Sequence, residues 1–237
     1  MNRMAAFFVL AAAPFLMGAE VTVKAALDGA GRGKVYMCLT ADLEQSGRFA
    51  RIADERLRDL FLVRALRASS RELTDLLAAR GFAAAVVEQK VDKDGVRTEV
   101  TAEISDVRPL AAIGGGEVSF TKKPGNFMEL NGALGGELAG TDADLSALAP
   151  VSVTIWTVFR GTVREADNAA RISHTADSVT WRWRADRMLA RATAVHVRVL
   201  PRIEENPQYW LALILAVTAL VVVGALIVLG RGREAMK

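Results

Sequence analysis

Several segments of this chain alternate apolar and polar residues with a period of two, and that pattern limits the folded part to half-buried strands around a core. Val151, Val153, Ile155, Thr157 and Phe159 share one face, as do Val179, Trp181 and Trp183, and again Val195, Val197 and Val199. Successive strand side chains point to opposite sides of a sheet, so each series can meet a core while its neighbours face water. Val96, Thr98, Val100, Ala102 and Ile104 repeat the pattern against Arg97, Glu99, Thr101 and Glu103. An Asp94-Gly95 turn precedes them, and residues 85–91 supply the partner strand of a hairpin. Residues 117–121 and 127–130 are shorter strand candidates around Pro124-Gly125, and 131–149 reads as a loop of small residues.

Two extended segments, 21–27 and 34–39, flank Asp28-Gly29-Ala30-Gly31-Arg32-Gly33 near the N-terminus. Glycine reaches positive φ without steric cost, so this stretch predicts a hairpin turn. A phosphate-binding loop of similar spacing requires a helix immediately after it, and here a second strand comes next. Asp92-Lys93-Asp94-Gly95 has some acids of a calcium loop, but its glycine comes two positions early, which leaves a solvated turn.

Helical spacing begins after Thr40. Leu57, Leu60, Phe61 and Leu66 form an apolar stripe, with Asp54, Glu55, Arg58, Asp59 and Arg67 outside it. The run Leu60-Phe61-Leu62-Val63 widens that stripe, which suits either burial on two sides or a ridge facing lipid or a partner. A second helix is delimited by the capping-box pair Ser69 and Glu72 and by Gly81, with Leu73, Leu76 and Leu77 as its stripe. These elements predict an α+β fold: an antiparallel β-sheet with two amphipathic helices after an N-terminal hairpin, plus one C-terminal transmembrane helix.

The membrane helix is expected at 210–229, twenty residues without a charge. At helical rise they extend about 30 Å, the thickness of a bilayer's hydrocarbon core. Tyr209 and Trp210 border one end, and Arg231, Arg233 and Lys237 the other, which predicts a cytoplasmic C-terminus. At the N-terminus, Arg3, the apolar stretch 4–17 and Gly18-Ala19 read as a secretory signal, either cleaved or retained as an anchor. The expected organisation is a signal peptide (1–19), an extracytoplasmic α+β domain (20–200), a juxtamembrane linker (201–209), a transmembrane helix (210–229) and a cytoplasmic tail (230–237). Localisation is then a bacterial cell membrane, single-pass, with the N-terminal domain outside.

Charge has to be read by compartment. Arg3, Arg231, Arg233 and Lys237 against Glu234 account for the whole formal charge of +3, so 26 basic residues balance 26 acidic ones between Glu20 and Tyr209. Without a basic excess in the domain, nucleic acid is not an expected partner despite a pI near 9.2. Cys38 is the single cysteine, so no internal disulfide forms, and its apolar surroundings suit a small buried hydrophobe. His174 and His196 lack neighbours with metal-ligand spacing, and no GxSxG, HExxH or SxxK motif occurs. The expectation is no enzyme, no catalytic residue, no metal and no cofactor.

The run Ile155-Trp156-Thr157-Val158-Phe159-Arg160-Gly161-Thr162-Val163, then Ala166-Asp167-Asn168 and Ser178-Val179-Thr180-Trp181, resembles the strand, turn and Val-Thr-Trp pattern of bacterial LppM-type envelope proteins. This chain departs from that pattern in lacking a lipobox cysteine and in having Arg160 where the family often has proline before the glycine. The resemblance implies an α+β extracytoplasmic domain associated with envelope lipids or glycolipids, and no lipidation is carried over.

Two functions are compatible with these features. In the first, a membrane-anchored envelope domain binds a lipid or other apolar ligand between helices and sheet without catalysis. Leu60, Phe61, Leu62, Trp181 and Trp183 would form its walls, with Arg182 or Arg184 for an anionic headgroup. In the alternative, the domain is a structural or accessory subunit with a membrane-protein partner. The bilayer is a partner in both.

Overall fold

Asp28 builds the first turn. In the computed structural model, which describes residues 19–167, 170–201 and 211–218, its carboxylate accepts from the backbone N–H groups of Ala30 and Arg32 at 2.8 and 2.9 Å. Gly31 takes φ +76°, the left-handed conformation that glycine tolerates best. The turn joins β1 (Ala19–Leu27) to β2 (Gly33–Asp42) in the expected hairpin. Asp42 then caps α1 (Leu43–Ala50), accepting from Gln45 N–H at 2.7 Å.

The helical region continues as α2 (Glu55–Asp59), α3 (Phe61–Arg67) and α4 (Ser70–Ala79). The first expected helix is two helices, because Leu60 leaves the helical region with ψ 136° and breaks the chain between α2 and α3. That break turns all four residues of the run inward: Leu60 and Phe61 are each 2% exposed, Leu62 and Val63 0%. Burial on two sides, rather than a ridge, describes them. The second helix has the expected capping box, with Ser69 and Glu72 each capping the other.

Eight strands come next, β3 to β10: Phe82–Val91, Gly95–Ile104, Gly116–Lys123, Phe127–Leu134, Val151–Phe159, Gly161–Ala166, Arg171–Ile172 and Ser178–Arg184. A short α5 (Ala185–Ala190) and β11 (Thr193–Pro201) complete the domain. One sheet has seven strands in the order β3-β4-β2-β1-β7-β10-β9, and the other has four in the order β5-β6-β11-β8. A single apolar core draws on both sheets and on the helices. Phe120 of β5 stacks on Phe159 of β7 with ring centroids 6.2 Å apart, tying the sheets together.

The expected fold class needs three corrections. The described chain is mostly β, with eleven strands in two sheets, rather than one antiparallel sheet with two amphipathic helices. The large sheet is mixed, since β7 runs parallel to β1 from Ala19↔Val151 to Leu27↔Phe159. Alternation defines a strand's buried face but not its neighbour or direction, so this pairing has no local signal. Lastly, no helix among the described residues is long and apolar enough to cross a membrane. Residues 211–218 are helical, whereas the rest of the expected 210–229 span, the linker from 202, the cytoplasmic tail and residues 1–18 of the signal lie outside the described residues.

The expected loop at 131–149 is shorter than anticipated, because β6 runs on through Leu134. Residues 136–138 are then fastened to the end of α5 by backbone bonds from Gly136 N–H to Met188 C=O (2.7 Å) and from Leu138 N–H to Leu189 C=O (3.0 Å).

Candidate functional site

The apolar residues of α2, α3 and α4 are spent on the core. Leu57, Leu60, Phe61, Leu62, Val63, Ala65, Leu73 and Leu77 are each at most 3% exposed. On the solvent side of the same helices, Arg58, Arg64 and Arg67 surround a cleft of about 300 Å³, completed by Ala68, Glu72 and Leu76. The break at Leu60 and the second one at Ala68, where the backbone is again extended, are what fold the three helices around this space.

Charge in the cleft is uneven. None of the three guanidinium groups takes part in an ion pair among the described residues. Glu72 is the one acid in the lining, and its carboxylate is engaged as a cap: Oε2 accepts from Ser69 N–H at 2.9 Å and from the Ser69 hydroxyl at 2.8 Å. Those bonds, together with the nearby charge of Arg64, hold the Glu72 carboxyl below the usual range, so it stays ionised and fixed at the start of α4. The lining has three cations to one anion, and Ala68 and Leu76 give it a partly apolar floor. Such an arrangement suits a negatively charged group of modest size, because guanidinium presents several N–H donors in a plane and is always charged.

The residues expected to form a ligand site lie elsewhere. Leu60, Phe61 and Leu62 belong to the packed core, as does Trp181 at 1% exposure. Trp181 Nε1–H donates to the Asp167 carboxylate at 2.9 Å, the polar partner a buried indole needs. Trp183 is half-buried on the same face of β10. Arg182 and Arg184 project from the opposite face: Arg182 donates from Nε to Ser152 Oγ at 3.2 Å, and Arg184 pairs with Asp186 at 2.7 Å. The structure therefore brings the three residues of the α2–α3 junction and Trp181 into one core, and separates both arginines from them by the sheet.

That opposite face of the large sheet is polar at its rims and aromatic near its middle. Lys24 Nζ sits 4.8 Å from the centre of the Trp156 ring, and on β2 Tyr36 and Cys38 are buried beside Arg97 and Glu99. Burial pushes both the Tyr36 hydroxyl and the Cys38 thiol above their usual values, so the thiol is a packed hydrophobe rather than a ready nucleophile. His174 is exposed, and His196 Nδ1 meets Asn131 Oδ1 at 2.5 Å on the small sheet. Among the described residues no group of three or more His, Cys, Asp or Glu could hold a metal ion.

No family model matches the chain, and no curated protein matches it. Among solved structures it is similar to the NMR structure of the folded domain of LppM from Mycobacterium tuberculosis. That likeness has 10% sequence identity and a TM-score of 0.44, and covers 82% of this chain and 96% of that one. LppM is also the namesake of the envelope proteins that residues 155–163 and 178–181 resemble.

Proposed function

We propose that the protein is a non-catalytic domain of the bacterial envelope that recognises an anionic lipid headgroup at the membrane surface. The observation that carries this reading is the cleft of about 300 Å³ where Arg58, Arg64 and Arg67 converge on a single acid already engaged as a helix cap. The space between helices and sheet is filled by side chains such as Phe61, Leu62 and Trp181, so the acyl chains stay in the bilayer and only the headgroup enters the protein. An export-type N-terminus supports a place outside the cytoplasm. Each exposed guanidinium–phosphate pair contributes about 0.2–1 kcal/mol. Three together give about 0.6–3 kcal/mol, or roughly 3- to 150-fold in Kd.

Native mass spectrometry of the full chain in neutral detergent tests this, with dioctanoyl phosphatidylglycerol, dioctanoyl phosphatidylcholine and inorganic phosphate as probes. The reading expects the glycerol lipid to bind in preference to the choline lipid, and the R58Q/R64Q/R67Q variant to lose that preference. Equal binding of both lipids, or an unchanged preference in the triple variant, overturns it. Binding of inorganic phosphate as tight as that of the lipid would make the site one for a free anion.

A further inference from the structure

The strand β3 ends the seven-stranded sheet, and among the described residues no strand pairs with its other edge. An unpaired edge is a ready template for another strand, and proteins commonly blunt it with prolines, bulges or charged side chains, which repel strands that do not carry matching charges. The start of β3 is blunted in this way: the register slips between Ala83 and Val86, and Ala84 has φ +49°. Beyond that point the strand is regular. Residues 86–91 pair without interruption from Val86↔Thr101 to Val91↔Val96. They contain no proline, and Val86 and Val91 are 59% and 69% exposed.

The sequence of that stretch, Val86-Val87-Glu88-Gln89-Lys90-Val91, is complementary to itself when reversed. Laid antiparallel on a second copy with Gln89 facing Gln89, Glu88 faces Lys90 on both sides of the axis and Val87 faces Val91. Pairing with β4 places Glu88 and Lys90 on one face of the sheet, where they directly face the like charges of Glu99 and Arg97, and Val87, Gln89 and Val91 on the other. A two-fold axis perpendicular to the sheet keeps these faces matched across the junction. Directly facing side chains must share a face, so neighbouring registers differ by two positions. One of these sets Glu88 against Glu88 and the other sets Lys90 against Lys90, which lengthens the like-charged row already formed with Glu99 or with Arg97, whereas the Gln89-centred register ends each row with an opposite charge.

From this complementarity we infer that β3 is the self-association edge of the protein, with a second copy of this chain extending the sheet across Gln89. The contact is isologous and closes as a dimer. Its occupant is fixed by the charge pattern, since an arbitrary strand would have to present a lysine and a glutamate on either side of a central residue.

Residue-specific crosslinking and charge exchange test it on the full chain in neutral detergent. Facing residues in an antiparallel pair have Cα atoms about 4.5–5.5 Å apart, within disulfide reach. Gln89→Cys is therefore expected to form a disulfide-linked dimer under mild oxidation, while Lys122→Cys on β5 does not. Lys90→Glu alone replaces two attractive pairs with two repulsive ones and lowers dimer affinity about tenfold, and the double exchange E88K/K90E restores it. Circular dichroism of each variant separates lost pairing from lost folding. Equal crosslinking of both cysteine variants, or a double exchange as weak as the single one, overturns the inference. So does a chain that is monomeric at every concentration with Gln89→Cys uncrosslinked.

Discussion

Replacing Phe61 with alanine separates the two roles that sequence and structure assign to the start of α3. Phe61 is 2% exposed and lies in the core formed by both sheets and the helices. A phenylalanine buries about 150 Å² or more, which at about 25 cal/mol/Å² is worth roughly 3–4 kcal/mol. The residual cavity keeps the total within the roughly 3–5 kcal/mol measured for such truncations. For a domain of this size a destabilisation of 1 kcal/mol lowers Tm by about 2–4 °C, so Phe61→Ala should unfold roughly 6–20 °C earlier. The assay is thermal unfolding of the full chain followed by tryptophan fluorescence, run beside lipid binding below the transition. Arg64→Gln is the matched control: as a surface change it should alter stability by no more than about 0.5 kcal/mol while weakening headgroup binding. A Phe61→Ala protein of normal stability that fails to bind lipid would refute the core assignment and make Phe61 a ligand wall. Conversely, an Arg64→Gln protein with normal binding would remove Arg64 from the site.

Other outcomes rest on particular contacts. Trp181→Phe should cost about 1–3 kcal/mol beyond its packing loss, because the Asp167 carboxylate loses a donor it receives at 2.9 Å, and urea unfolding measures it. Gly135→Ala should be strongly destabilising in the same assay, since Gly135 has φ +89° and an added Cβ would lie 2.1 Å from the Met188 carbonyl oxygen. Tyr36 has a hydroxyl pKa raised by burial, so the folded state holds its proton more tightly than the unfolded chain. That contribution is complete below pH 10.0, the ordinary value, and is lost as pH rises beyond it. Wild type should thus lose stability above that pH faster than Tyr36→Phe, as alkaline unfolding curves would show. Cys38, buried and with a raised thiol pKa, should react with a disulfide reagent slowly in the native protein and rapidly in urea.

The strands were legible because their signal is local. Alternation in 96–104, 151–159 and 195–199 depends only on which residues face a core, and the observed burial tracks it from Thr98 onward in the first and throughout the other two. The same holds for the Ser69–Glu72 capping box and the Asp28 turn, where a few adjacent side chains satisfy backbone groups that would otherwise be unpaired. Partnership between strands is different in kind. The parallel β1–β7 pair joins Ala19 to Val151 across most of the domain, and nothing within either strand distinguishes that neighbour from β11. The division into two sheets was invisible for the same reason.

The site was harder still, because it depends on where helices break. Periodicity alone makes residues 57–66 one helix, and on one continuous helix the run Leu60-Phe61-Leu62-Val63 covers too much of the circumference for a single core contact. An intact helix would have to bury those residues on two sides or offer them to a ligand or a partner. Leu60 resolves the conflict by leaving helical geometry, which lets α2 and α3 bury their apolar sides separately. Together with the second break at Ala68, it curls the polar sides of α2, α3 and α4 toward each other and gathers Arg58, Arg64 and Arg67 at one cleft. The burial of the apolar surplus and the convergence of the arginines thus both depend on the break at Leu60. Asp54 marks only where α2 starts, by capping it, and not that the helix ends after five residues. Because both depend on that junction, a substitution that disturbs it, such as Leu60→Ala, should weaken core packing and headgroup binding together, whereas Arg58→Gln should affect binding alone.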